Sequence, residues 1–171
     1  MKITEIKVLK GPNYWSVRRL KLIQMKLDLE EMEQRPTNTI PGFRERLEKM
    51  FPTLIEHHCS EGSRGGFFHR VDEGTWMGHV IEHVALELQT LSGMDTGFGR
   101  TRGAGETGVY YVVFSYMEED AGVYAAKASV RIVQSLVDAN DYNLEEDIQR
   151  LREIREDTRL GPSTGCIVEE S

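Results

Sequence analysis

Apolar and polar residues alternate along Val17–Leu29 (VRRLKLIQMKLDL), with Leu20, Leu22, Met25, Leu27 and Leu29 on one side and a slip at Ile23. A period of two predicts a half-buried strand. Ile3, Ile6 and Val8 give a shorter strand before it, ended by Gly11-Pro12-Asn13. Val109–Tyr116 (VYYVVFSY) is the densest β-branched and aromatic run in the chain and predicts another strand. Thr96–Arg102 is a weaker candidate, because glycine dilutes it.

Helical periodicity fills the intervals. Pro41 opens a short helix over GFRERLEKMF. Thr75 is placed to cap a second, from about Trp76 to Leu91, which stops at Gly93. Glu119 to about Val137 carries a small-residue stripe of Ala121, Ala125 and Ala128, and Leu144–Arg159 is a charged helix. This order predicts an α+β fold, a mostly antiparallel sheet packed against helices.

Composition narrows the function classes. The chain of 171 residues suits one domain with its own core, and 39% hydrophobic with 29% charged residues is a globular balance. No apolar run is long enough to span a bilayer, and the N-terminus is not a signal peptide, so no membrane partner is expected. Cys59 and Cys166 lie far apart, which argues against a disulfide framework and for a reducing cytoplasm. A net charge of -7 disfavours nucleic acid. The charge is uneven: residues 1–26 carry seven Lys/Arg against Glu5 alone, whereas 141–157 carry seven acids against three arginines. Such faces serve solubility first, yet they also suit a substrate of both signs. There is no Gly-rich phosphate motif, hence no sign of a nucleotide site.

The chemistry lies in His79-Val80-Ile81-Glu82-His83, a His-x-x-Glu-His pattern inside the second helix. Residues four apart share a helix face, so His79 and His83 can reach one metal ion. Glu82 sits beside them, placed to take a proton from water and pass it to a leaving amine. This is the inverted zinc-peptidase arrangement. Stepping about 100° per residue places Met77, Val80, Ile81, Val84, Ala85 and Leu88 in one apolar sector, with His79, Glu82, His83 and Leu86 opposite. The bland alternative is a solvated face that matches by chance.

Zinc needs a third protein ligand beside an open position. Glu119 comes first, as the carboxylate that follows the strongest strand, although Glu118, Glu119 and Asp120 also suit a helix N-terminus. Glu87 comes second, turned partly away, and His69 third. His57-His58-Cys59 offers metal-binding side chains, but neighbouring residues on a helix point apart, which argues against one cluster. Arg100 and Arg102, in Gly97-Phe98-Gly99-Arg100-Thr101-Arg102, can fork a substrate carboxylate; a solvated hairpin is the rival reading. Trp15 suits core packing or a binding platform equally.

Several strings resemble the start of cyanophycin synthetases: Leu9–Ser16 (LKGPNYWS), Lys21–Leu29 (KLIQMKLDL), Ile40–Phe43 (IPGF), Gly78–Gln89 (GHVIEHVALELQ), Gly97–Arg102 (GFGRTR) and Leu160–Thr164 (LGPST). The resemblance covers essentially the whole chain. It implies that residues 1–160 form the N-terminal domain and 161–171 a linker towards an absent ATP-grasp domain, with a Mur-ligase-like domain beyond. It implies binding of cyanophycin, an aspartate-backbone polymer bearing arginine on each side chain. In members with His-x-x-Glu-His it also implies internal cleavage that releases primers. The expected cofactor is Zn2+. The rival function is a non-catalytic module that anchors the polymer near the ligase sites. Homo-oligomerisation is left open.

Overall fold

A computed structural model describes residues 1–19, 21–59 and 62–160. Four strands form one sheet, β1 (Lys2–Lys10), β2 (Lys21–Asp28), β3 (Gly99–Gly103) and β4 (Val109–Ser115), in the order β1-β2-β4-β3. Every pairing is antiparallel, with Val8 opposite Ile23, Ile23 opposite Phe114, and Thr101 opposite Val112. Five α-helices accompany it: α1 (Phe43–Met50), α2 (Gly66–Glu73), α3 (Met77–Leu91), α4 (Glu119–Asp138) and α5 (Leu144–Leu160). The α+β expectation therefore holds. Among the described residues no helix is long and apolar enough to cross a membrane.

The apparent slip at Ile23 disappears in the sheet. Ile23, Met25, Leu27 and Leu29 form the continuous core-facing row, fully buried with Val112 and Phe114 of β4. Leu22 belongs to the opposite face, where it packs with Val113 and Trp15. Period two places alternate residues on opposite faces, so Leu22 is the one apolar member of a row that continues with Gln24, Lys26 and Asp28. Leu20 lies outside the described residues. Trp15 is a packing residue: it is buried, its ring meets Tyr111 edge-on at 5.8 Å, and its indole N–H donates to Gln24 Oε1 at 2.6 Å.

Helices α3 and α4 lie on the other face. The small-residue stripe of α4 is fully buried, and Gly122 marks its closest approach. A Cβ there would fall 2.7 Å from Tyr116 Cβ and 2.9 Å from Ile23 Cγ1. Alanine at that position would cost on the order of 1–3 kcal/mol through overpacking. The last helix is tied down by Asp147, buried at its first turn. Its carboxylate accepts from the Tyr124 hydroxyl at 2.7 Å, the Tyr142 hydroxyl at 2.7 Å and the Arg131 guanidinium at 2.9 Å. α2 has no counterpart among the predicted elements; it places Phe67 under the next helix.

Candidate metal centre

α3 is more enclosed than its amphipathic pattern predicts. Its apolar sector is fully buried, and on the opposite sector Glu82, His83 and Leu86 are buried too. Two glycines allow this. A Cβ on Gly78 would sit 3.2 Å from Thr101 Cγ2, so the start of α3 lies directly against β3. A Cβ on Gly99 would sit 2.7 Å from Glu82 Cγ, so the acid occupies space that any larger residue on β3 would claim.

One helical turn brings the two imidazoles together. His79 Nε2 and His83 Nε2 are 3.1 Å apart, with the rings edge-on at 77°. Cys59 Sγ lies 3.2 Å from His79 Nε2. The three ligand atoms all fall within 4.8 Å of one another. Two imidazole nitrogens and a thiol sulfur are a zinc-type donor set, and three protein donors match the number that leaves a coordination position open. Phe67 stacks on His83 with centroids 4.1 Å apart and holds that ring flat.

Around the donors is an outer set of partners. Thr75 was placed as the cap of α3, yet the N-cap residue is Trp76 and no side chain caps the helix. The Thr75 hydroxyl instead contacts His79 Nδ1 at 3.0 Å. His83 Nδ1 lies 2.8 Å from His57 Nδ1, and His57 Nε2 lies 2.9 Å from Glu87 Oε2. The Thr53 hydroxyl bonds Glu87 Oε1. Burial drives the pKa of His79 down to about 4, with Arg70 adding to the effect. Burial, then the neighbouring His79 and His57, lowers His83 well below the ordinary histidine range. Both rings are thus neutral and carry lone pairs.

Glu82 differs from them. Burial pushes its pKa up to about 7, opposed by the Thr101 hydrogen bond and the charge of Arg100. Its Oε2 accepts from the Thr101 hydroxyl at 2.6 Å. Glu87 goes the other way: burial acts to raise its pKa, but the bonds from His57 and Thr53 outweigh that, and it is held below the usual carboxylate value.

These groups open into one cleft of about 1010 Å³. Arg70, Arg100 and Arg102 line it, and so do the acids Glu56 and Asp95. Arg100 is steadied on the wall by the Trp15 carbonyl at 3.5 Å and by the Phe98 ring beneath it.

His79, Glu82, His83, Arg100 and Arg102 therefore share one site. Glu119 does not join them. It pairs with Lys10 at the end of β1 and lines a different hollow with Lys21 and Tyr116. A carboxylate at the first turn of α4 meets the lysine of the adjacent strand before it can meet another helix. His69 sits one turn from Glu73 on α2, at 3.8 Å, outside the donor group. Glu87 reaches His57 rather than the donors. The side chain that joins the two histidines is Cys59, of His57-His58-Cys59. The triplet is not helical: His57 ends a 3₁₀ turn (Pro52–Glu56) and Cys59 takes a left-handed φ of 53°. The three side chains do diverge: His58 is exposed, while His57 reaches His83 Nδ1 and Cys59 reaches His79 Nε2.

A family model described as "Cyanophycin synthase-like N-terminal domain" matches residues 24–138. A protein of Synechocystis sp. named "Cyanophycin synthetase" is 56% identical over 100% of this chain and 20% of its own length. The protein of the same name from Geminocystis herdmanii is 52% identical over 100% of this chain and 20% of its own length. The one from Trichormus variabilis is 55% identical over 100% of this chain and 19% of its own length. The chain thus spans about a fifth of the length of the curated relatives it matches.

Proposed function

The chain belongs to the cyanophycin synthase-like N-terminal domain family, and from that premise we propose that it binds cyanophycin and hydrolyses it internally with zinc, supplying primers for polymerisation. The observation that carries this reading is the convergence of Cys59, His79 and His83 within 4.8 Å, in a cleft that also holds Glu82. Cys59, His79 and His83 would hold zinc, which when bound would supply Lewis-acid chemistry near neutral pH.

The chain's own residues do the rest. Glu82 takes the proton of the attacking water as the C–O bond forms. It then delivers that proton to the amide nitrogen as the C–N bond breaks, leaving a carboxylic acid and an amine. Arg100 and Arg102 hold a polymer carboxylate, and Glu56 and Asp95 face its guanidinium groups. Leu86 and Trp76 give the cleft an apolar stretch of wall.

On this reading residues 1–160 are the cleaving and binding domain and 161–171 lead towards the ATP-grasp and Mur-ligase-like domains of a longer cytoplasmic ligase. The test has two parts, metal content and a chromatogram of cyanophycin before and after incubation. Glu82→Gln is expected to retain zinc and to lose cleavage by on the order of 100-fold or more. Undiminished cleavage would remove Glu82 from the mechanism. A second reading, a module that only anchors the polymer, is favoured by the mixed charges of the cleft wall, which suit retention without chemistry. Polymer binding by a wild-type protein that takes up no zinc would select it.

A further inference from the structure

The hydrogen-bond partners of His83 run in one direction only. Glu87 is 2% exposed and packs between two donors, Thr53 at one oxygen and His57 at the other. A carboxylate there only accepts, so the proton on the 2.9 Å contact belongs to His57 Nε2. A neutral imidazole with its proton on Nε2 has a lone pair on Nδ1. With His57 neutral, the one proton of the 2.8 Å contact between the two Nδ1 atoms comes from His83. That leaves His83 Nε2 as a lone pair, and this is the atom 3.1 Å from His79 Nε2.

We infer that Glu87 and His57 are positioning residues that fix the tautomer of His83 and aim its Nε2 lone pair at the donor group before any ion arrives. The inference deepens the zinc reading and rests on it for its purpose, but the tautomer itself is a property of the metal-free chain. His79 is not fixed in this way. Its Nδ1 faces the Thr75 hydroxyl, which can donate or accept, so His79 adapts to whatever shares the space. One rigid ligand and one adaptable one then meet the thiol. Outer partners of this kind orient metal-binding histidines and raise their affinity.

The experiment uses the 171-residue chain with its histidines labelled with 15N, first without metal. His83 is expected to show a protonated Nδ1 and an unprotonated Nε2. A proton on Nε2 in the wild type would overturn the inference. Glu87→Gln keeps the shape but brings an amide that can donate as well as accept, so the direction of the chain is lost. His83 should then populate both tautomers, and the zinc dissociation constant, read by competition with a fluorescent chelator, should rise roughly 10- to 100-fold. His57→Phe, which keeps an aromatic ring beside Phe67, should do the same. Unchanged tautomer and affinity in both variants would also overturn it. If Glu87→Gln does not fold, the wild-type spectrum and His57→Phe still decide. A wild type with the expected tautomer but no zinc affinity would sink the hydrolytic reading and leave this assignment standing.

Discussion

The buried polar clusters around Asp147 and beneath α3 are satisfied in different ways. Around Asp147 the count closes: two hydroxyls and a guanidinium donate to one carboxylate, which is 4% exposed. Beneath α3 the roles can exchange: His79 Nε2 meets both His83 Nε2 and Cys59 Sγ, groups that can each donate or offer a lone pair. A closed cluster ties elements together. One whose protons can move aside gathers ligand atoms that an ion could use. Buried polarity alone therefore does not mark a functional site; the direction of the donors and acceptors does.

The largest separation between the clusters should come from Cys59→Ala. Zinc affinity is expected to fall on the order of a thousandfold, because one of three donors is gone. The melting temperature of the metal-free protein should move by only a few degrees, since Cys59 lies outside the main helices. Unchanged affinity would remove the thiol from the donor set. Asp147→Asn is the reciprocal experiment. The neutral amide cannot serve three donors as the carboxylate does, and urea denaturation should show a loss of roughly 2–3 kcal/mol. Zinc affinity should stay as it is; a fall would mean that the clusters are coupled through α4 and α5.

The smallest effect is a pH dependence at the closed cluster. Burial first, and then the bond to Asp147, push the Tyr142 pKa up to about 12, against a countering Arg131. The folded chain thus holds this proton more tightly than the unfolded chain does. The contribution is whole below about pH 10, the ordinary tyrosine value, and is lost as the pH rises through about 12. Tyr142→Phe should flatten that part of the stability curve, and an unaltered slope would assign it to another group.

Most of the fold was legible because its elements are long and periodic. β4 and the helices α3, α4 and α5 have patterns that packing reinforces, and their observed bounds lie within a few residues of expectation. α2 was not legible: Phe67 and Phe68 are adjacent and follow a glycine-rich run, so neither period shows. Within the site, His79, Glu82 and His83 were readable because one helical turn fixes their relation. Cys59 was not, since its place depends on a left-handed backbone and on a contact spanning 20 residues. Glu119 was misplaced because helix position says nothing about a lysine on a distant strand. Thr75 fitted a cap by its sequence position, but the hydroxyl found the histidine one turn on.

The enclosure of α3 has a mechanical consequence. With its apolar side in the core and most of its other side also covered, its central amides should be among the slowest in the chain to exchange with deuterium. The two imidazoles inherit that stillness, whereas the thiol comes from a short irregular stretch after a 3₁₀ turn. An ion held by all three groups would staple α3 to the stretch that follows the 3₁₀ turn.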